Sequence, residues 1–321
     1  MNSIFDQKSV FITGGAGFIG SHIAEHILKN KCDVRIFDNL STGKRSNLDP
    51  IKKHVEFIQG DIRDFNHLKK SMQGSDFVFH EAAEVSVPRT IDHPIESAMI
   101  NEIGTVNVFE AARQCHVQRV IFASSCSIYG DTAPSLPKVE TMIPAPKSPY
   151  AAQKIMGEYY AKLYHDLYQL ETVCLRYFNV YGPRQDPSSA YSGVISIFLT
   201  QAIQNQQPII YGDGTQYRDF VNVADVVQAN LLAASQPEIS GKVFNIGTGK
   251  SVSINALWEH ICQQSGKKIS PSYAPSRSGD VQASVADMHQ TVQHLGYSPS
   301  VSFETGLKQT LAWYEQSMLR I

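Results

Sequence analysis

The chain has little cysteine. Its 321 residues contain five cysteines, an odd number, and no two of them form a Cys-x-x-Cys pair. This pattern excludes a disulfide-stapled secreted domain and is typical of reduced thiols, so we predict a cytoplasmic protein. We interpret four of the cysteines as interior packing residues and set Cys126 apart because it lies within a motif.

The chain also lacks an excess of charge and a long apolar run. The formal net charge is -2 and the pI is near 6.6, which gives no electrostatic reason to expect nucleic acid as a partner. No apolar run approaches the ~18 residues of a membrane span, and the first residues lack the basic-then-apolar layout of a signal peptide. With 42% hydrophobic and 18% charged residues, the composition is typical of a soluble globular protein.

Strand-length apolar runs alternate with helical patterns through the first half of the chain. We predict strands at residues 9–13, 33–37, 55–59, 77–80, 119–123 and 172–177, and helices at 18–29, 65–72, 94–115 and 149–165. Short β-branched and aromatic runs separated by helices indicate βαβ units. The predicted fold class is therefore α/β, with a Rossmann-type doubly wound parallel sheet.

The pattern loosens in the second half. We predict loops at residues 179–191 and 266–279, helices at 194–205, 223–235 and 303–318, and a strand at 209–211. This indicates a nucleotide-binding domain over residues 1–180 and a smaller mixed α/β lobe over residues 181–321. Segments of the C-terminal half are expected to be able to return to the first sheet.

A glycine-rich motif joins the first predicted strand to the first helix. Gly14 permits a tight turn, Gly17 lets the backbone approach a pyrophosphate, and Gly20 lets the helix pack on the strand. The free N–H groups of the helix then face the phosphates. Asp38 ends the second strand, where a carboxylate accepts from ribose hydroxyls and repels a 2′-phosphate, so NAD is predicted rather than NADP.

Tyr150 and Lys154 lie four residues apart in a helical pattern, so their side chains share one face. Lowering a tyrosine pKa from ~10 to ~7 requires about 4 kcal/mol. One unit charge at ~4 Å supplies about that at an effective dielectric of ~20. The pair predicts a base that works at neutral pH, although Tyr-x-x-x-Lys alone also occurs by chance on solvated helices.

Several motifs in order resemble one family. The glycine motif, HEAA at residues 80–83, SSCSIYG at 124–130, the Tyr150 and Lys154 pair and RYFNVYGP at 176–183 resemble the extended short-chain dehydrogenase/reductases. Among these the chain resembles the UDP-sugar 4-epimerases, and most of all the UDP-N-acetylglucosamine 4-epimerase subgroup. The resemblance implies an NAD cofactor, a UDP-sugar substrate and a homodimer formed through the helices at 94–115 and 149–165.

The resemblance also implies roles for individual residues. Ser125, Tyr150 and Lys154 match the catalytic positions. The implied cofactor residues are Gly14, Gly17, Phe18, Ile19, Gly20, Asp38, Asn39, Asp61, Ile62, Ala82, Ala83, Asn101, Tyr150, Lys154 and Tyr177. The implied substrate residues are Ser86, Ser125, Asn179, Tyr211, Arg218, Arg277, Asp280 and Ser284.

The implied reaction is inversion at C4 of a UDP-hexose through a transient 4-keto sugar. Ser284 matches the position that walls the pocket beside the sugar C2 group, and a small residue there leaves room for an N-acetyl group. UDP-GlcNAc and UDP-GalNAc are therefore the expected substrates, with UDP-glucose and UDP-galactose also accepted. Cys126 and Ser127 stand where the related 4,6-dehydratases carry two acids, so dehydration is not expected.

Three alternatives remain open from the sequence. A UDP-glucuronate 4-epimerase or decarboxylase needs a cation near C6, for which Arg89 or Arg184 is available. A catalytically silent NAD-binding regulatory protein would share the glycine motif. The run HIAEH at residues 22–26 fits a zinc-protease pattern, but we see no further ligand. We interpret its side chains as exposed helix residues and predict no metal.

Overall fold

A computed structural model describes residues 4–132, 137–187, 193–276 and 282–318. The strands in chain order are β1 (Ser9–Thr13), β2 (Asp33–Asp38), β3 (Glu56–Gln59), β4 (Phe77–His80), β5 (Arg119–Ser125), β6 (Glu171–Tyr177), β7 (Asn179–Tyr181), β8 (Ile209–Tyr211), β9 (Tyr217–Arg218), β10 (Phe220–Asn222), β11 (Lys242–Ile246), β12 (Val252–Ser253), β13 (Ser272–Ala274) and β14 (Ala283–Ser284). The helices are α1 (Phe18–Ile27), α2 (Phe65–Met72), α3 (Val87–Asp92), α4 (Pro94–Ala98), α5 (Gly104–Gln114), α6 (Pro149–Tyr168), α7 (Val194–Ile203), α8 (Val223–Ser235), α9 (Ile254–Ser265) and α10 (Phe303–Met318).

A seven-stranded parallel sheet forms the centre of the molecule. Its strand order is β11-β6-β5-β4-β1-β2-β3, which confirms the predicted Rossmann-type α/β class. The carboxyl ends of β1, β2, β4, β5 and β6 therefore share one edge, where ligands of such sheets bind. β11 pairs in parallel with β6, so a segment beyond residue 181 belongs to this sheet.

Helices cover both faces of the sheet because its strands are apolar on both sides. On one face, Ile12 and Ile36 pack with Ile23 of α1 and Val226 of α8. On the other face, Phe11 and Phe122 belong to a core cluster that includes side chains of α2, α5 and α6. The doubly wound arrangement predicted from the alternating pattern is thus confirmed.

The C-terminal lobe has its own core. Phe198 of α7, Trp258 of α9 and Leu307 of α10 meet there, and the rings of Phe198 and Trp258 contact edge to face at 5.4 Å. Small sheets border this core, namely the β12-β9-β14 sheet and the pairs β10-β7 and β13-β8. Within the described ranges, we find no helix with the length and apolar character that crossing a membrane requires.

Three predictions of local structure are wrong. The predicted loop at residues 179–191 begins with β7, and the predicted loop at 266–279 contains β13. Each pairs with a strand more than thirty residues away in sequence, β10 and β8 respectively, so no local pattern announces it. The helix predicted at 94–115 is α4 and α5 joined by a wider π-helical turn at Met99–Ile103.

The cysteine interpretation is also wrong in part. All five cysteines are free, but only Cys174 is buried, whereas Cys32, Cys115 and Cys262 are half-exposed.

Candidate active site

The glycine loop lies between β1 and α1 at the carboxyl edge of the sheet. Gly14 has φ of +68°, and a Cβ there would lie 2.7 Å from the backbone nitrogen of Ala82. A Cβ on Gly20 would collide with the carbonyl oxygen of Gly14. Helix α1 begins at Phe18, followed by Ile19, and has no side-chain cap. Its free N–H groups and this side-chain-free cradle fit the pyrophosphate of a dinucleotide.

Asp38 ends β2 beside this loop and is 7% exposed. Its Oδ2 accepts from the backbone N–H of Ala16 at 3.0 Å, and its Oδ1 accepts from that of Leu40 at 2.8 Å. Burial raises the pKa of the carboxyl, and the two backbone hydrogen bonds oppose the rise. The position fits the adenosine ribose of NAD.

Three further predicted cofactor residues, Asn39, Asp61 and Ile62, lie beyond the ends of β2 and β3. Asn39 Nδ2 donates to Asp61 Oδ2 at 2.9 Å. Arg63 donates to both oxygens of Asp61, and these bonds hold the pKa of Asp61 well below its usual range. Ile62 is buried and packs against Gly104, where a Cβ would lie 2.6 Å from Ile62 Cδ1.

The three predicted catalytic side chains meet at the end of β5. Ser125 is the last residue of β5, and its hydroxyl hydrogen-bonds Tyr150. Tyr150 is in the first turn of α6, whose N-terminus is capped by Ser148 Oγ accepting from Ala151 N. Lys154, one turn later, is 5% exposed, and its Nζ lies 5.8 Å from the centre of the Tyr150 ring.

The electrostatics of this pair differ from the expectation. Burial raises the pKa of Tyr150 to about 12, although the Ser125 hydrogen bond opposes the rise. Burial also lowers the pKa of Lys154 to about 8. The Lys154 ammonium donates to the carbonyl oxygen of Ala123 at 2.7 Å. The structure therefore does not show the predicted lowering of the tyrosine pKa by Lys154, because burial moves this pKa in the opposite direction.

Glu81 is a carboxylate near this pair that the sequence analysis did not predict as a site residue. Glu81 follows β4, and burial raises its pKa to about 7. Its Oε1 accepts from the hydroxyl of Tyr177 at 2.8 Å. The two residues are 96 positions apart, so sequence spacing carried no signal of this contact. Tyr177, a predicted cofactor residue, is buried at the end of β6.

Two other predicted cofactor segments border the site. Ala82 and Ala83 follow Glu81, and Ala82 N donates to Thr13 Oγ1 at 3.3 Å. Asn101 is buried. Its Oδ1 accepts from the backbone N–H of Glu84, and its Nδ2 donates to the carbonyl oxygen of Glu84. Asn101 therefore holds the segment after β4 against the π-helical turn.

Ser284, the position expected to wall the pocket beside the sugar C2 group, contacts the residue that directly follows β5. Ser284 lies on β14, in register with Arg218 of β9. The Ser284 hydroxyl donates to Cys126 Sγ at 3.7 Å, and Cys126 directly follows Ser125. The structure thus brings Ser284 to the residue that follows Ser125, and Arg218 lies beside Ser284 on the neighbouring strand. This contact joins residues 158 positions apart.

The remaining predicted substrate residues that the structure describes lie on separate elements. Ser86 is buried and caps α3 by accepting from Arg89 N. Asn179 begins β7, and Tyr211 ends β8. The predicted Arg277 and Asp280 lie outside the described residues.

Both candidate cations for a uronate carboxylate are already paired with carboxylates. Arg89 Nε lies 2.8 Å from Glu84, and its Nη2 lies 2.9 Å from Glu96. Arg184 pairs with Glu25 of α1.

Two residues of the zinc-protease pattern on α1 contact the segment at residues 183–184. His22 Nε2 hydrogen-bonds the carbonyl oxygen of Pro183 at 2.9 Å, and Glu25 pairs with Arg184. The interpretation of these side chains as exposed helix residues is therefore wrong for His22 and Glu25. No group of three potential metal-ligating side chains occurs in the part of the chain that the structure describes.

Comparison with known proteins gives the class. Residues 10–247 match the family model described as the NAD dependent epimerase/dehydratase family. The chain belongs to this family, which confirms the predicted enzyme class and NAD as its cofactor.

Individual relatives extend the match over nearly the whole chain. A putative UDP-glucose 4-epimerase from Methanocaldococcus jannaschii is 40% identical, over 96% of this chain and 99% of its own. The structure of a UDP-glucose 4-epimerase from Thermotoga maritima with UDP-glucose has a TM-score of 0.92 and 38% identity, covering 97% and 99%. That of a UDP-N-acetylglucosamine 4-epimerase from Methanobrevibacter ruminantium, in complex with UDP-N-acetylmuramic acid, has a TM-score of 0.93 and 39% identity, covering 98% and 100%.

Proposed function

We propose that this protein is an NAD-dependent UDP-sugar 4-epimerase that acts mainly on UDP-GlcNAc and UDP-GalNAc and also accepts UDP-glucose and UDP-galactose. The observation that carries the reaction is the meeting of Ser125, Tyr150 and Lys154 at the sheet edge that holds the glycine loop. The relatives and solved structures above act on, or are bound to, nucleotide sugars of this kind.

The chemistry assigned to these residues is one reversible proton transfer. NAD, when bound, would supply the acceptor and later the donor of the C4 hydride. Tyr150 as phenolate removes the proton of the sugar 4-hydroxyl, and Ser125 hydrogen-bonds the reacting oxygen. After the keto sugar has turned its other face to the site, Tyr150 returns the proton and C4 is inverted. The charge of Lys154 favours the phenolate during this cycle.

The pocket wall supports an N-acetylated substrate. Ser284 is small, and its hydroxyl rests on Cys126 rather than projecting as a large ring would. Two small side chains therefore border the space next to Ser125. Binding energy from the nucleotide, remote from C4, would hold the substrate while the sugar turns; we assign Asn179, Tyr211, Arg218, Arg277 and Asp280 to it.

A uronate substrate is less well supported. A buried C6 carboxylate requires a cation that is free to pair with it. Arg89 and Arg184 are each held by protein carboxylates, so recruiting either one would leave an acidic side chain without its partner.

A homodimer is part of the proposal. Large apolar side chains recur on one exposed stripe of α4 and the following π-helical turn (Ile95, Met99 and Ile103), and on α6 (Tyr159 and Leu167). These elements pack side by side, so the stripes form one surface. An exposed apolar patch of this kind is typical of an interface. With five free cysteines, we assign the dimer to the cytoplasm.

The test is a cofactor-free turnover assay. The purified protein is incubated separately with UDP-GlcNAc, UDP-glucose and UDP-glucuronate, without added NAD, and the products are separated chromatographically. We expect C4 epimers from the first two and fastest conversion of UDP-GlcNAc. Preferential conversion of UDP-glucuronate would refute the substrate assignment. No conversion of any of them, by protein shown to contain NAD, would favour a regulatory role instead.

A further inference from the structure

Glu81 is a carboxylate that the proton transfer by Tyr150 does not use. It follows β4, and its backbone N–H donates to the carbonyl oxygen of Thr13 at 3.1 Å. Its side chain reaches Tyr177 at the end of β6. β5 lies between β4 and β6 in the sheet, so this hydrogen bond passes the end of the strand that carries Ser125.

The carboxylate is held in place by a short chain of hydrogen bonds. The hydroxyl of Tyr177 donates to Glu81 Oε1 at 2.8 Å and accepts from Asn230 Nδ2 of α8 at 2.8 Å. Asn230 is anchored in turn, since its amide also donates to the carbonyl oxygen of Val226 at 2.9 Å. A negative charge fixed by such a chain is not free to turn toward water.

Lys154 of α6 reaches the same region of the sheet, since its Nζ donates to the carbonyl oxygen of Ala123 near the end of β5 at 2.7 Å. The negative charge of Glu81 raises the pKa of Lys154 and opposes the larger effect of burial. It also raises the pKa of Tyr150. The other carboxylate that acts on Lys154 is Glu158, which is tied up by two hydrogen bonds from Arg176.

The residues next to Glu81 in sequence and along its hydrogen-bond chain carry no charge. His80, next to Glu81, is fixed between Thr13 and Thr105, and burial lowers its pKa to about 3, so the ring is neutral at physiological pH. Asn230 and Tyr177 are uncharged at that pH. Two carboxylates act on Lys154, and Glu158 is paired with Arg176. Glu81 is hydrogen-bonded by the neutral Tyr177 instead.

We propose that Glu81 is a positioning residue that sets the charge state of the catalytic pair. Its carboxylate, tethered by Tyr177, keeps the proton on Lys154 and resists the loss of the proton from Tyr150. This inference rests on the proposed epimerase function, because it assigns these two residues the proton chemistry of that reaction.

The mechanism predicts a definite direction for a charge-removing variant. In Glu81→Gln, the phenolate is no longer repelled and the ammonium is no longer stabilised. Limbs of the kcat/KM profile that lie above the pKa of Glu81 should move to lower pH, by about one unit, the scale of two unit charges ~12 Å apart at an effective dielectric of ~20. Wild type and variant should converge below the pKa of Glu81, which is about 7, because the wild-type side chain is then neutral too.

Two further proteins make the test sharp. Tyr177→Phe removes the hydrogen bond that lowers the pKa of Glu81. We therefore expect Glu81 to ionise at a higher pH in this variant, and its effect on the profile to begin at a higher pH. Glu56→Gln removes one exposed charge on β3 and should leave the profile in place. Folding of each variant is checked by its retained NAD.

A readout that does not depend on turnover is the reactivity of Lys154. Acetic anhydride labels deprotonated amines, and peptide mass spectrometry reports the extent at Lys154 as a function of pH. We expect half-maximal labelling of Glu81→Gln about one pH unit below wild type. Unshifted labelling together with an unshifted profile in an active enzyme would overturn the inference alone. Shifted labelling in a protein that converts no UDP-sugar would support the inference and refute the proposed reaction.

Discussion

Tyr150 is the residue to which we assign the proton transfer of the proposed reaction. Its phenol is buried, hydrogen-bonded to Ser125 and one helical turn from Lys154. We expect Tyr150→Phe to keep NAD and the fold but to lose turnover by a factor of about 10²–10⁴, the usual contribution of a general base. NAD released on denaturation and product formation measure the two effects. Turnover near the wild-type level would exclude Tyr150 as the base.

Ser284 is the residue that we propose decides substrate size. Its hydroxyl contacts Cys126 beside the catalytic strand, so a tyrosine ring there would enter the space assigned to the N-acetyl group. We expect Ser284→Tyr to abolish turnover of UDP-GlcNAc and to spare UDP-glucose. Ser284→Ala, which loses the hydroxyl but adds no bulk, is the matched control and should keep both activities. Equal loss of activity on both substrates in the tyrosine variant would show that Ser284 does not select substrates by size.

Contacts between site residues were predictable from spacing alone only where the local chain fixes the geometry. Tyr150 and Lys154 are one helical turn apart, and the three glycines follow a strand, so the local chain fixes their relation. The Glu81–Tyr177 and Ser284–Cys126 contacts join residues 96 and 158 positions apart. The electrostatics were mispredicted for a related reason: burial, which dominates the pKa of Tyr150, depends on the whole packed site.

At the scale of elements, the central strands were the most predictable. Continuous apolar runs such as that of β4 are buried along their whole length, as is usual for strands of a parallel sheet that helices cover on both faces. The short pieces of the C-terminal lobe were not predictable, since β9, β12 and β14 have two residues each. Their stability comes from pairing with distant segments rather than from local pattern.

The turn between β1 and α1 is an element that can be tested directly. Gly14→Ala forces a Cβ into the backbone of Ala82 and strains a positive φ, so we expect loss of retained NAD with it. Gly74→Ala is the matched control, because Gly74 has φ of +76° but open space around it. It should cost only about 1 kcal/mol of stability and keep the cofactor. Equal NAD content in both variants would contradict the assigned role of the cradle.

At the scale of the molecule, the exposed stripe on α4 and α6 makes a prediction about assembly. Ile95 is 81% exposed and Leu167 is 65% exposed, and burying such side chains against a second copy stabilises a dimer by the hydrophobic effect. We expect light scattering to show a dimer for the wild type and a monomer for the double variant Ile95→Glu/Leu167→Glu. Val292→Glu, at an exposed apolar residue elsewhere, should remain dimeric. A monomeric wild type would refute this assembly.

The pairing of β11 with β6 has a consequence for synthesis of the chain. β6 ends at Tyr177, and β11 begins at Lys242, so the ribosome adds the intervening segment over roughly 3–13 s at ~5–20 residues per second. Throughout that interval β6 presents an unpaired edge of N–H and C=O groups, which invites pairing with another chain. The dinucleotide half of the enzyme is thus an unfinished sheet while it emerges, and its exposure to chaperones and to aggregation is set by translation speed through residues 178–246.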